Sequence, residues 1–332
     1  MLRLSRVLLI LDRVKLLDLA IKLKSPNLLV IAYHNVGPHD SHVQTFEEPI
    51  TPALIEKQVL FLLRSGYIVT SLGDALTTLA ESPRQKVAAI TFDDGYKGVY
   101  EYAYPILRKR HIKATLYLTA GFVKHRVAPW WEQLHYITSR AEKEGKLHEL
   151  TRLISQIKGG SWRLHETQAS RLKPWIESVV RAMDAHELKD LVNTLSKNLG
   201  IEVPEDLYST IMLDLNEIKE MVEYGFEVGG HGLWHVNLSI LNNDRLTEEV
   251  KESLGFVKTL YKGIYTFAYP FGIYNNSIIE AIKSSEFKAA VTLDPHLNYS
   301  PTNTYTLGRI PPYKFNLKDI ASFKYLLISA KC

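Results

Sequence analysis

Residues 87–96 read VAAITFDDGY, and no other stretch narrows the possible folds as far. Val87 to Thr91 is a short, mostly apolar run of the kind that forms a strand buried on both faces of a parallel sheet. It leads into Phe92, two adjacent carboxylates and Gly95. That order predicts Asp93 and Asp94 at the carboxyl end of a buried strand, where α/β folds bind their ligands. Neighbouring carboxylates repel each other unless something separates their roles. A bound cation does so, taking one Asp as a ligand and leaving the other as a base. The alternative is a plain Asp–Asp–Gly chain reversal.

A second stretch bears on that choice. Residues 225–238 read GFEVGGHGLWHVNL. Glu227 to Gly230 has strand character and ends at His231, with His235 four residues later. On a helical turn, positions i and i+4 share a face, so both imidazoles can point at one ion. Two His and one Asp leave a coordination position open, the pattern of a catalytic rather than a structural zinc site. A His pair at this spacing is usually incidental. A strand-end Asp pair together with a strand-end His pair is far more specific.

Taken with FAYPFG at 267–272, these motifs resemble the polysaccharide deacetylase family, the NodB-homology domain of carbohydrate esterases, over residues 28–125 and 213–312. The resemblance implies an α/β fold, a distorted (β/α) barrel of the NodB-homology type with a helical insertion. It implies a metal-dependent hydrolase that removes acetyl groups from N-acetylated sugars of a glycan, breaking a carbon–nitrogen bond other than a peptide bond. Carried over residue by residue, Asp93 matches the catalytic base, and Asp94, His231 and His235 match the ligands of a divalent metal. Two imidazoles and one carboxylate suit zinc best. The amide of Phe271 is implied as an oxyanion donor. Phe271 and Tyr269 line an acetyl pocket or, equally, pack the turn.

One departure from the family pattern stands out. Many members carry an arginine that orients the catalytic aspartate where this chain has Ala268. Arg309 is the candidate substitute, its alternative being a surface salt bridge. The general acid is expected at His34, which follows the apolar run LLVIAY. That arrangement resembles the permuted pattern of biofilm-polysaccharide deacetylases. His296 is the competing donor, in a segment with no apolar run directly before it.

With 332 residues the chain can hold one large domain plus an insertion. Strands are predicted at 28–33, 67–70, 87–91, 114–119, 227–230, 265–268, 289–293 and 307–310, alternating with helices. Residues 28–316 form the expected catalytic domain, interrupted by a helical insertion over 126–212 and followed by a C-terminal segment, 317–332. Leu147, Leu150, Leu153, Ile154 and Ile157 give the insertion its helical period. It also carries Trp130, Trp131, Trp162 and Trp175. Trp130 and Trp131 either anchor the insertion or stack on sugar rings.

A net charge of +4, with no basic tract interleaved with aromatics, makes no case for nucleic acid. Cys332 is the single cysteine, so no intramolecular disulfide forms and a reducing compartment is allowed. Near the amino terminus, the apolar run Val7–Leu11 is broken by Asp12 and Arg13. It is too short for a secretory signal core or a membrane span. Residues 1–27 read instead as an amphipathic helix, packed on the domain or resting on a membrane surface. The expected location is the cytoplasm, with peripheral membrane contact through residues 1–23. Other chemistries compatible with the motifs are O-deacetylation and hydrolysis of a small amide. A non-catalytic glycan-binding relative has no need of a free base beside its metal.

Overall fold

From Leu28 onward short apolar runs alternate with amphipathic ones, and that alternation builds parallel strands joined by helices. A computed structural model describes residues 2–24, 26–38, 44–157, 173–299, 303–312 and 319–331. Trp162, Cys332, the side chain of Trp175 and part of the loop after His34 lie outside the described residues.

Helices α1 (Leu2–Arg13) and α2 (Leu16–Lys24) precede strand β1 (Leu28–Tyr33). The amphipathic segment is thus two helices rather than the single one expected, because Lys15 turns left-handed with φ 58. Next come α3 (Pro52–Arg64), β2 (Ile68–Thr70), α4 (Leu72–Glu81) and β3 (Val87–Asp93). All seven residues of β3 are buried, as its run of Val, Ala and Ile requires. The helix that follows β3 begins with π spacing at Val99–Ala103 and becomes α5 at Tyr104–Arg108. Pro105 has no N–H to return to residue 101, so the α register is not available there.

Strand β4 (Thr115–Leu118) leads into α6 (Ala120–His125). The stretch that breaks the strand–helix rhythm holds α7 (Trp130–Lys143), α8 (Leu147–Ile157), α9 (Lys173–Val180), α10 (Ala185–Leu199) and α11 (Leu207–Ile211). Buried Leu134, Ile137, Leu150, Leu188 and Leu195 form its core, continuous with Phe267 and Phe287 of the barrel wall. The βα pattern resumes with α12 (Leu215–Tyr224), β5 (Glu227–Gly230), α13 (Asn243–Leu260), β6 (Thr266–Ala268), α14 (Asn276–Lys283), β7 (Ala289–Val291) and α15 (Ile320–Ser329).

All strand pairs are parallel, in the order β1-β3-β4-β5-β6-β7, with β2 also on β3. Since β1 covers one edge of β3 from Val87 to Phe92, β2 and β4 share the other. β2 takes Val87–Ala89 and β4 takes Thr91–Asp93. The break between them is where the barrel is distorted. The amino end of α4 enters that break, and Glu227 at the start of β5 satisfies it. The Glu227 carboxylate accepts from Ser71 Oγ (2.7 Å), Gly73 N (2.8 Å), Asp74 N (3.1 Å) and Thr115 Oγ1 (2.9 Å). These include donors that an α-helix leaves unpaired at its first turn. Gly73 is required for the approach: a Cβ there would lie 2.5 Å from Glu227 Oε1.

Residues 307–310 close the ring. Leu307 bridges β7, with its N–H on Ala290 O, and Ile310 bridges β1, with its N–H on Val30 O. Arg309 sits between them.

Candidate active site

The carboxyl end of β3 sets the geometry. In a strand, successive side chains point to opposite faces. Asp94 leaves the strand with φ 70 and Gly95 follows with φ 85, which swings Asp94 back so that both carboxylates serve one site. Asp93 and Asp94 are almost wholly buried.

His231 directly follows β5, and His235 closes the next turn. The turn is not helical, contrary to the i, i+4 expectation: Gly232 (φ 76) and His235 (φ 53) are both left-handed. That compact loop, rather than a helix face, brings the two rings to a centroid distance of 4.7 Å. His231 Nδ1 donates to the carbonyl of Ala268 (2.7 Å), which aims Nε2 at Asp94. Asp94 Oδ1 lies 3.5 Å from His231 Nε2 and 3.6 Å from His235 Nε2.

These residues fit a divalent ion. Asp94 Oδ1 is buried and has no hydrogen-bond partner. Its separations from the two nitrogens are too long for direct hydrogen bonds. Four ligands at about 2.1 Å in a tetrahedron stand about 3.4 Å apart, which these spacings approach. The candidate ligand atoms of Asp94, His231 and His235 all lie within 4.8 Å of one another. Burial and the neighbouring His231 push the His235 pKa down to about 3, so its ring is neutral, the form that binds metal. Burial works against charge on His231 too, yet Asp94 and Asp93 outweigh it and raise its pKa. A proton on His231 and a metal ion therefore compete for the same place. Burial opposes ionisation of Asp94 as well, and the three histidines override it and lower its pKa.

Asp93 is held from the other side. Arg309 Nη1 donates to Oδ1 (2.6 Å) and Nη2 to Oδ2 (2.7 Å), a fork that only a planar guanidinium can make. Its Nε donates to Thr292 O (2.7 Å), and Nη1 also reaches Thr91 Oγ1 (3.2 Å). Arg309 is completely buried, so the surface salt bridge is excluded. Burial would raise the Asp93 pKa, but Arg309, followed by His231 and His34, holds it below the usual carboxylate value.

His34 follows β1, and its Nε2 lies 3.8 Å from Asp93 Oδ2 and 4.0 Å from Asp94 Oδ2. His296 packs against Gly308 and bridges Lys331 through its backbone. Among the described residues no ion pair or ring contact joins it to the Asp–His cluster. Phe271 (φ 59) stands at the site, its ring 4.7 Å from that of His235. Tyr269 does not: it is buried in the core, stacked on Tyr274, with its hydroxyl on Tyr305 O. Its side chain leaves the strand end on the core side, so it lines no acetyl pocket. Trp130 and Trp131 are buried around His235, at 6.3 and 4.8 Å between centroids. They anchor the insertion to the site.

Two buried glutamates complete the surroundings, and neither is evident from the motifs. Glu249 Oε2 accepts from Leu233 N (2.6 Å) and Trp234 N (3.3 Å), tying down the loop between the two histidines. Glu132 accepts from Tyr96 Oη (2.5 Å) and from Phe46 N (3.1 Å to each oxygen). Trp131 Nε1 donates to the same Tyr96 oxygen at 2.8 Å. Glu132 thereby fastens the segment downstream of His34 to the insertion. The available signal was an acid on an apolar helix face: Glu249 shares its stripe with Leu246, Val250 and Ser253, and Glu132 adjoins Trp131 and Leu134.

Fold and site together define an α/β barrel with a carboxylate–imidazole cluster, a candidate metal site, at the carboxyl ends of its strands. The chain belongs to the polysaccharide deacetylase family, whose sequence model matches residues 80–152 and 171–290. It is 20% identical over 290 residues to the Bacillus subtilis protein YxkH, whose name places it in the same family, covering 86% of this chain and 72% of that one. It is 24% identical over 221 residues to the poly-beta-1,6-N-acetyl-D-glucosamine N-deacetylase of Staphylococcus aureus, covering 67% of this chain and 52% of the relative. This chain therefore spans about half of the staphylococcal protein's length. Its fold is that of the Streptococcus pyogenes deacetylase PplD, solved with acetate (TM-score 0.54, 20% identity, 86% and 91% of the two chains). It is equally that of IcaB from Ammonifex degensii (TM-score 0.55, 20% identity, 91% and 98%).

Proposed function

We propose that the protein hydrolyses the acetamido group of N-acetylated sugars in a glycan, releasing acetate and leaving a free amine. One observation carries this: the Asp94–His231–His235 cluster stands beside an Arg-held carboxylate, Asp93, and an imidazole, His34, within 4.0 Å of both aspartates. Amide hydrolysis needs this combination, a base for the attacking water and an acid for the departing amine.

Asp94, His231 and His235 would hold a divalent ion, with zinc suited to the donor set. Such an ion supplies Lewis acidity toward water and the acetyl carbonyl. Asp93 takes the proton of the attacking water, and Arg309 keeps that carboxylate ionised and oriented. His34 Nε2 gives a proton to the amine nitrogen as the carbon–nitrogen bond breaks. The Phe271 amide, in its left-handed turn, is the candidate donor to the oxyanion. Trp130, Trp131 and Phe271 wall off the His235 side and limit access of bulk water.

The staphylococcal relative's named substrate suggests the first compound to test. Acetate release from β-1,6-linked N-acetylglucosamine oligomers should be measured with and without a chelator. The same assay on an O-acetylated sugar and on a simple N-acetyl amide separates the alternative chemistries. Chelator-sensitive release from the N-acetylated oligomer supports the proposal. Release confined to the O-acetyl ester or the simple amide, or insensitive to chelation, overturns it.

A further inference from the structure

Of the thirteen exposed large apolar side chains among the described residues, five fall between residues 7 and 19. They are Val7 and Ile10 at the outer face of α1, Val14 in the turn directly after it, and Leu16 and Leu19 on α2, each half or more exposed. At 100° per residue, positions 7, 10 and 14 form one stripe. The opposite side is the one that packs: Leu8 and Leu17 are buried against Ala321 of α15, and Ile21 joins the main core.

Charge is sorted the same way. Both acidic residues of this segment, Asp12 and Asp18, are taken by Lys324 Nζ at 2.6 Å on the packed side. Lys24 is turned inward onto Ile328 O and Ala330 O. Arg13, Lys15 and Lys22 are exposed and, among the described residues, have no acidic partner. The outer face is therefore apolar with a cationic border. No helix among the described residues is long and apolar enough to cross a membrane.

We infer that the outer face of α1 and α2 lies on an anionic lipid surface. Val7, Ile10, Val14, Leu16 and Leu19 enter the boundary between headgroups and acyl chains, and Arg13, Lys15 and Lys22 meet the lipid phosphates. A second copy of the chain is a poorer occupant, because a two-fold contact would set this cationic border against itself. α2 joins the barrel at the amino end of β1, the end opposite His34. Lipid contact through these helices leaves the strand ends that carry the site to the substrate.

The test is co-sedimentation of the full chain with phosphatidylcholine vesicles and with vesicles of phosphatidylcholine and phosphatidylglycerol in equal parts. Binding should require the anionic lipid and weaken with salt. The charge reversal Arg13→Glu with Lys15→Glu and Lys22→Glu should weaken binding at least about fivefold for each cation lost. Ile10→Asp with Val14→Asp should abolish it. Both variants should keep the wild-type melting temperature and the wild-type acetate release from a soluble oligomer. Three results overturn the inference. One is wild-type protein that stays in the supernatant with anionic vesicles. Another is binding that survives in both variants. The third is a wild-type dimer in sedimentation velocity that Ile10→Asp with Val14→Asp dissolves, which would give the face to a second copy.

Discussion

The guanidinium of Arg309 holds both oxygens of Asp93, at 2.6 and 2.7 Å, across 216 residues of sequence. Arg309 lies on the segment that closes the barrel between β7 and β1, so ring closure and the orientation of the Asp93 carboxylate are one event. Ala268, at the place where the sequence resemblance implies an arginine, offers its carbonyl to His231. The two roles are thus divided between different parts of the chain.

Arg309→Lys should lower turnover and move the acid limb of the pH–rate profile upward. Lysine cannot make the fork, so Asp93 loses part of what offsets its burial and its pKa rises. Since the base must be ionised, activity then requires a higher pH. An unchanged acid limb with a uniformly lower rate would mean that Arg309 serves packing alone. Arg309→Met is the harsher variant, because an unpaired buried carboxylate costs about 3–5 kcal/mol. It should be read by melting temperature before activity.

Asp93→Asn and His34→Gln should each keep the metal and lose turnover by about two to four orders of magnitude. His296→Gln should change the rate little, since its ring lies on Gly308 rather than on the aspartates. Acetate release and elemental analysis on the same preparations decide between them. The reverse pattern for the two histidines would move the acid to His296.

What could be read from the sequence was local or strongly patterned. The buried run of β3 ending in two acids, the strand-end His34 and the apolar segment around Arg309 each placed a residue on the right face of a barrel. The failures were of two kinds. His235 is left-handed without being a glycine, so its residue type does not mark the compact loop it closes, and the i, i+4 spacing reads as a helical turn. Contacts distant in sequence were also hidden. Ser71 stands at the N-cap of α4, yet its hydroxyl goes to Glu227, which meets the helix amides from 154 residues away. At α12 the cap is Asp214, which makes a full capping box with Glu217.

Metal content should follow the loop as well as the ligands. His235→Ala should remove the ion and the activity together. Glu249→Ala leaves the Leu233 and Trp234 amides without their acceptor and should weaken metal affinity about 10–100-fold, as loss of a residue that orients ligands does. Glu249→Gln retains an acceptor oxygen and should recover most of that affinity. Stoichiometric metal in His235→Ala would remove it from the ligand set. Equal affinity in Glu249→Ala and wild type would show that the loop holds itself.

Stability should depend on pH through Glu132. Burial pushes its pKa up to about 7, although the hydrogen bonds from Tyr96 and Phe46 favour the ionised form. The unfolded chain releases the same proton near the ordinary value of 4.5. Between those values the folded protein holds a proton that the unfolded chain has lost. Stability from this group is therefore fully present below pH 4.5, falls as pH rises to about 7, and is flat above. Glu132→Gln removes the titration while keeping an oxygen for Tyr96 and Phe46. The variant's melting temperature relative to wild type should accordingly improve from pH 4.5 to 7 and then hold constant. Glu249, raised by its own burial to about 7, adds a slope of the same sign to both proteins and cancels in the difference. Thermal melts of both proteins across this range check the prediction. A constant difference at every pH would show that Glu132 is already ionised in the folded protein, with Tyr96 and Phe46 sufficient to keep it so.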